Sequence, residues 1–407
     1  MLVFLAFGPL ARGTNENSRR AVIAGLINSY VHEHGAAVLR NESKYAVGEL
    51  CARKFVSNAH FPIGCLSMGN RLGSFLTNLA YAVALNRTIF LSHQDFTKSE
   101  CNGHISPREW IIRRGELKSL LKRAGCPKTE NTIGYWDRPP CGYSNSPERF
   151  ITCDSLFNSA YAFLRSDFDS SLSSLVLQRS HILFGSPLQN RAPFEAYGLL
   201  MRRAFRFSLA VNHAVRDILA RSNVPNSFRV SIHLRHQDER STMDPSLDTP
   251  LDDSAVKALR SIVRRQINAT CVVYLASDRN ASIARMERSS RELGCEPYTV
   301  DRTDESSRAD LYPEHGIWAL GLVQVADMYL LGHGDFLIGT KESTFSILIA
   351  NLITASALPE ERPVSNPYYW LSDNEYTTYF SPMERDLNCT NGKYALTLFY
   401  GAAGIVL

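Results

Sequence analysis

An α/β fold built on parallel, doubly wound sheets is the class this sequence predicts. Three observations carry the prediction. From Val230 to Ile353 short apolar runs alternate with helix-length segments, the pattern of strands joined by helical crossovers. A glycine-punctuated stretch around residues 65–91 reads as a further strand–helix–strand unit. Between the two, Asn223-Val224-Pro225-Asn226-Ser227 has the composition of a linker.

The totals suit that class. The chain has 407 residues, length enough for about two or three domains. A hydrophobic fraction of 44% and a charged fraction of 21% are those of a globular protein with ample core. The net charge of +4 is mild; it suits a small anionic ligand and gives no ground for a nucleic-acid partner.

In chain order, Met1–Leu10 is apolar but falls short of the roughly 20 residues of a membrane-spanning segment. It reads as the stub of a signal peptide or of a membrane anchor, and the sequence does not show which. Residues 1–59 form this N-terminal segment, with a helix from Ser18 to about Leu39 that carries Ala21, Val22, Ile23, Leu26 and Ile27 and is expected to stop at Gly35. An N-terminal α/β domain, 60–225, follows. Its first strand is expected at Cys65–Met68, with a turn holding Gly69 and Gly73, a helix Phe75–Leu85, and a strand Ile89–Leu91. The two glycines either let backbone approach a ligand at a helix N-terminus or permit close helix–sheet packing.

Residues 92–150 interrupt this domain. Cys101, Cys126, Cys141 and Cys153 punctuate a stretch that also holds Pro107, Pro127, Pro139, Pro140 and Pro147, the look of a disulfide-stapled insertion. The chain has nine cysteines and no C-x-x-C pair, which argues against a zinc ribbon. Glycosylation sequons stand at Asn41, Asn86, Asn268, Asn280 and Asn388. Asn86 and Asn268 abut apolar runs where a glycan is not expected to fit. Cysteines and sequons together favour an oxidising, secretory-pathway compartment. Further on, Leu172–Ile182 and Pro193–Ala220 read as helices, with Arg202–Arg206 on a solvated helix face. Asp167-Phe168-Asp169 has the spacing of a metal–diphosphate motif, but the serines after it make a helix N-cap the better account.

The second α/β domain spans 226–360, and 361–407 form a C-terminal extension. Strands are expected at Val230–Leu234, Cys271–Ala276, Pro297–Val300 and Phe336–Thr340. The helices between and after them are expected at Asp253–Ile267, Ala281–Leu293 (stopped by Gly294), Gly316–Leu331 and Ser343–Ile353. His236, beside Arg235, reads as a solvated loop histidine, while three strand ends carry polar residues: His233 and Arg235 at the first, Ser277 and Asp278 at the second, and Thr340, Ser343 and Thr344 at the fourth. In an open parallel sheet ligands bind beyond the carboxyl ends of the strands, so these residues should converge. Arginine suits a phosphate there because its planar fork donates paired hydrogen bonds and keeps its proton. A helix opening at Ser343 and Thr344 would add its N-terminal dipole. The convergence points to a nucleotide diphosphate.

Several of these stretches also resemble a known group. Ile232-His233-Leu234-Arg235-His236-Gln237-Asp238, Val273-Tyr274-Leu275-Ala276-Ser277-Asp278, and Gly334-Asp335-Phe336-Leu337-Ile338-Gly339-Thr340 with Ser343 and Ser346 resemble, in order, the three motifs of the α-1,6/α-1,2 and protein O-fucosyltransferase superfamily. Gly69-Asn70-Arg71-Leu72 with Leu85-Asn86-Arg87-Thr88 is similar to the group's N-terminal motif. The resemblance covers residues 60–95 and 228–355.

It implies a GT-B-like fold, two Rossmann-like domains facing across a cleft. It implies inverting, metal-independent transfer of fucose from GDP-fucose, a donor substrate rather than a cofactor, to a hydroxyl of a glycan or glycoprotein acceptor; with the cysteines and sequons, the expected location is the Golgi or ER lumen. By the same resemblance Arg235 and Asp238 would be catalytic, with Arg235 on the β-phosphate. His233, Asp278, Thr340, Ser343, Thr344, Gly69 and Asn70 would contact the donor. Three departures stand out. His236 occupies a position where many relatives carry Arg or Gly, Glu342 one where small or polar residues are usual, and Met243 the spacing of the base in the core α-1,6 enzymes. Asp238, Glu239 and Asp244 are left as candidate bases. Two alternatives stay open: a related enzyme using another nucleotide sugar, and an inactive relative that binds nucleotide sugar or glycan.

Overall fold

The computed structural model describes residues 16–39, 55–58, 88–91, 104–113, 174–176, 192–236, 249–302, 313–341, 343–356, 367–372 and 375–378, with helical positions 69, 72, 76, 79, 80 and 83. Helix α1, Glu16–Leu39, runs through Gly35 rather than stopping there. A glycine inside a long helix costs only about 1 kcal/mol, too little to end it. Its Ile23, Ile27 and Tyr30 are buried.

The first sheet is entirely parallel. It comprises β1 (Phe55–Asn58), β2 (Thr88–Leu91), β4 (Ile112–Arg113) and β5 (Ser174–Val176), in the order β4-β2-β1-β5. The strand paired with β2 is therefore β1, upstream of Cys65–Met68, which lies outside the described residues. The helix between β1 and β2 buries Gly69, Leu72, Leu76, Leu79, Ala80 and Val83, the 3.6-residue spacing read from the sequence. Ser174–Val176, expected within a helix, is strand β5 paired with β1. So short an apolar run has no decisive period, and the neighbouring strand settles it.

A two-stranded antiparallel ladder, β3 (Ile105–Pro107) with β6 (Phe205–Phe207), interrupts the helix expected over Pro193–Ala220. The result is α2, Ala192–Ala204, and α3, Leu209–Ser222, the latter capped by Ser208, whose Oγ accepts from the Val211 N–H at 3.2 Å. Arg202–Arg206 is accordingly not one helix face: Phe205 is buried in β6 and Arg206 pairs with Glu109.

The second sheet positions the site. Its strands are β7 (Ser227–Leu234), β8 (Thr270–Ser277), β9 (Cys295–Thr299), β10 (Phe336–Thr340), β11 (Tyr368–Leu371) and β12 (Tyr376–Thr377). The order is β12-β11-β10-β7-β8-β9, with only β12 antiparallel. The segment read as a C-terminal extension thus supplies two strands, and Tyr368, Tyr369, Trp370 and Leu371 are all buried. Strand order reverses between β7 and β10, the topological switch point at which doubly wound sheets open a crevice.

Helices cover both faces. On one lie α4 (Pro250–Val263) and α5 (Asn280–Glu292), packed on Val230, Ile232, Val273, Leu275 and Ile338. On the other, α6 (Pro313–Leu331) and α7 (Thr344–Ser356) share a continuous core with α1, α2 and the Leu72–Val83 helix. Burial on both faces explains why these strands read as unbroken apolar runs. Gly198 lies where α2 crosses α7, and a Cβ there would overlap the Asn351 carbonyl oxygen.

The four cysteines of the expected stapled insertion lie outside the described residues. Cys271 and Cys295 form a disulfide between neighbouring β8 and β9, Cα–Cα 4.5 Å. Asn268, expected to lack room for a glycan, is exposed on a turn with φ 68°. The apolar strand begins only after the turn, so the side chain escapes it.

Candidate active site

The strand ends at the switch point are tied together by short polar contacts. Arg235, just past β7, places Nη1 3.0 Å from Asp278 Oδ2, just past β8. The arginine side chain stays 38% exposed while the Asp278 carboxyl is only 13% exposed. The cation is thus the more exposed side chain of the pair. Thr340, ending β10, is a latch across the switch point: its Oγ1 accepts from the Arg235 N–H at 2.8 Å and donates to the His233 carbonyl at 3.2 Å.

His233 is buried, with Nδ1 2.7 Å from Ser346 Oγ and its ring stacked at 4.8 Å on Phe345. Burial, aided by the Arg235 cation, holds its pKa down at about 3, so the ring is neutral. It supports β7 against α7 and adds no charge. A Cβ on Gly339 would press on Ser346 at 3.0 Å, so the glycine admits this contact. Ser343 is buried and caps α7: its Oγ accepts from the Ser346 N–H at 3.4 Å, and its carbonyl from the Ile347 N–H at 3.1 Å. Thr344 opens the helix, and Gly69 lies against it; a Cβ on Gly69 would come within 2.6 Å of Thr344 Oγ1 and 2.9 Å of the Phe345 nitrogen. The glycine thus serves close packing onto the first turn of α7.

Arg235, His233, Asp278, Thr340, Ser343, Thr344 and Gly69 are therefore gathered at one edge of the second sheet. Asn70, Asp238, Glu239, Met243, Asp244 and Glu342 lie outside the described residues, as does Asp167–Asp169.

Sequence reasoning missed two groups here. Arg302, after β9, donates to the Ser277 carbonyl at 3.0 Å and to Asp327 Oδ2 of α6 at 2.7 Å. Burial pushes the Asp327 carboxyl up to about 6 although Arg302 pulls the other way. No local pattern announces this pair, whose members lie on separate elements. The other group surrounds His236. Its Nδ1 is 3.2 Å from Asp278 Oδ1, and its Nε2 is 3.2 Å from Thr249 Oγ1 and 3.6 Å from Asp252 Oδ1. Burial disfavours the imidazolium, but the two carboxylates outweigh it and raise the pKa to about 9. Asp278 in turn stays ionised: burial opposes this, yet His236 and Arg235 hold its pKa well below the usual carboxylate range. Thr249-Pro250-Leu251-Asp252 is a capping box, both reciprocal bonds present, and was the one legible sign. Among the described residues no cluster of His, Cys, Asp and Glu is arranged to hold a metal ion.

These strand ends lie at the switch point of a doubly wound sheet, in a mixed α/β fold with a parallel-dominated six-stranded sheet. The fold is that of GT-B fucosyltransferase structures. Arabidopsis thaliana FUT1, solved as a mutant in complex with GDP, superposes with a TM-score of 0.53 at 13% identity, covering 93% of this chain and 87% of that one. NodZ, an α-1,6-fucosyltransferase from Bradyrhizobium soaked with GDP-fucose, gives 0.46 at 15% identity over 74% of this chain and 92% of that one. POFUT1 in complex with GDP-fucose gives 0.45 at 13% identity over 78% and 97%. No protein-family model and no curated protein sequence matches the chain.

Proposed function

We propose that this chain is a glycosyltransferase that moves fucose from GDP-fucose to a hydroxyl of a glycan or protein, with inversion and without a metal. The observation that carries the reading is the half-exposed Arg235 guanidinium at the switch point, backed by Asp278 and flanked by the first turn of α7, in a fold shared with a GDP-bound fucosyltransferase.

The acceptor oxygen forms its bond to the anomeric carbon as the bond from that carbon to the β-phosphate oxygen breaks. The electrons of the broken bond leave with GDP, so negative charge grows on the diphosphate. Arg235 and the N–H groups opening α7 are fixed before the reaction and stabilise that charge without reorganising. The hydroxyl proton passes to a base, for which Asp238 remains the candidate the sequence offers.

An oxidising lumen, ER or Golgi, suits the Cys271–Cys295 disulfide. No described helix is long and apolar enough to cross a membrane.

Thermal melts with GDP, GDP-fucose and UDP test the reading, followed by assays of donor hydrolysis and transfer. Selective stabilisation by GDP and GDP-fucose with turnover is the expected result. UDP preference would assign another donor, and binding without turnover an inactive relative. Arg235→Ala should keep the fold and lower transfer by roughly 10²–10³-fold, the effect of removing one such donor; unchanged transfer would remove Arg235 from the site.

A further inference from the structure

We infer that His236 is a positioning residue for the donor site: a buried imidazolium that shares the Asp278 carboxylate with Arg235 and so fixes where the arginine's charge sits. The inference rests on the nucleotide-sugar reading above and deepens it.

The geometry divides one carboxylate between two cations. Asp278 Oδ2 takes Arg235 Nη1 at 3.0 Å, while Oδ1 accepts from the His236 backbone N–H and ring Nδ1–H, each at 3.2 Å. The other ring nitrogen faces a second carboxylate, Asp252 Oδ1 at 3.6 Å, with Thr249 Oγ1 at 3.2 Å and Ser282 Oγ at 3.4 Å around it. The His236 side chain is 1% exposed, so water does not replace any of these partners. Asp278 Oδ1 within hydrogen-bond reach of Nδ1 and the Asp252 carboxylate beside Nε2 together favour a proton on each nitrogen. A neutral ring protonated at Nδ1 would leave the buried Asp252 carboxylate without the imidazolium charge beside it, which burial penalises.

Among the described residues the charged groups facing the ring are Arg235 past β7, Asp278 past β8 and Asp252 on α4. His233 nearby is neutral, and α5 offers the Ser282 hydroxyl. His236 and Thr249 both belong to this cluster, so one ring also ties the switch-point strand to the first turn of α4. Losing the ring charge would remove one of the cations on Asp278 and strengthen its pull on the Arg235 guanidinium.

The test is GDP-fucose affinity measured by calorimetry from pH 6.5 to 10.5, which needs no acceptor. In the natural chain affinity should hold to about pH 9 and then fall about tenfold per pH unit, the linkage of one proton. Asp252→Asn keeps an oxygen for the Thr249 cap but removes one of the carboxylates that hold the proton. It should start the fall at lower pH. His236→Arg, a cation that does not titrate in this range, should abolish the fall. His236→Gln should bind roughly 10- to 100-fold more weakly at neutral pH. A merely structural histidine would change melting temperature in these variants without moving the pH profile, and that result overturns the inference. Should His236→Arg fail to fold, Asp252→Asn decides alone. If Arg235→Ala also leaves GDP-fucose affinity unchanged, the donor site itself is misassigned; if Arg235→Ala abolishes binding while the Asp252→Asn profile stays put, only the role of His236 is.

Discussion

At the scale of single residues, charge placement decides what the site can do. Asp327 and His236 hold protons longer than they would in the unfolded chain, and each makes stability fall as pH rises. Asp327, raised from 3.8 to about 6, costs stability as pH climbs between those values. His236, raised from 6.5 to about 9, stabilises fully below 6.5 and loses that contribution as pH passes 9. Melting temperature followed from pH 4 to 10 should decline in the upper window, with His236→Gln flattening it; in the lower window His233, held down from 6.5 to about 3, gains stability as pH climbs and offsets Asp327. An unchanged upper window would mean the imidazolium is not paired as described. Gly69 matters for the opposite reason, since it contributes no side chain. Gly69→Ala should push on Thr344 and the Phe345 backbone, costing about 1–3 kcal/mol by overpacking and weakening GDP affinity with it. A melting temperature and affinity equal to the parent's would show that the two segments part easily.

At the scale of elements, legibility followed packing. β7, β8 and β10 could be read because burial on both faces makes each a short run of apolar residues between turn signals, and their polar ends were read with them. Ser174–Val176 could not, because three residues have no period and only the partner strand β1 makes them a strand. The break at Phe205–Phe207 was hidden likewise: an apolar run continuing a helical pattern looks like helix until an antiparallel partner at Ile105–Pro107 claims it. The His236 cluster draws on the ends of β7 and β8 and on α4 and α5, and only the Thr249-to-Asp252 capping box betrays any of it locally. The α2–α7 crossing is of this non-local kind too. Gly198 there admits the Asn351 backbone, and no rotamer can relieve a Cβ that meets a carbonyl. Gly198→Ala is therefore expected to destabilise by about 3 kcal/mol, the upper end of overpacking costs, despite the better helix propensity of alanine. A denaturant midpoint at or above the parent's would contradict the close crossing.

At the scale of the whole molecule, the two ends of the second sheet have separate duties. The carboxyl ends gather Arg235, Asp278 and Thr340, while the amino ends carry the Cys271–Cys295 disulfide and, three residues before Cys271, the exposed turn at Asn268. Asn268-Ala269-Thr270 is a glycosylation sequon, and a glycan there would project away from the switch point. Asn280, the other exposed sequon asparagine among the described residues, opens α5 two residues after Asp278, where a glycan would crowd the crevice. Chain secreted from a eukaryotic host should therefore carry a glycan on Asn268, seen as a mobility shift that glycosidase treatment removes and Asn268→Gln reduces by one glycan, with GDP-fucose affinity unaffected. The same material should melt higher than chain made in a reducing cytosol. Cross-linking residues 24 apart in sequence removes loop entropy worth about 3 kcal/mol from the unfolded state, and dithiothreitol should erase the difference. A secreted chain with no glycan at Asn268 and no response to reductant would set aside the lumenal assignment while leaving the anion site at the other end of the sheet intact.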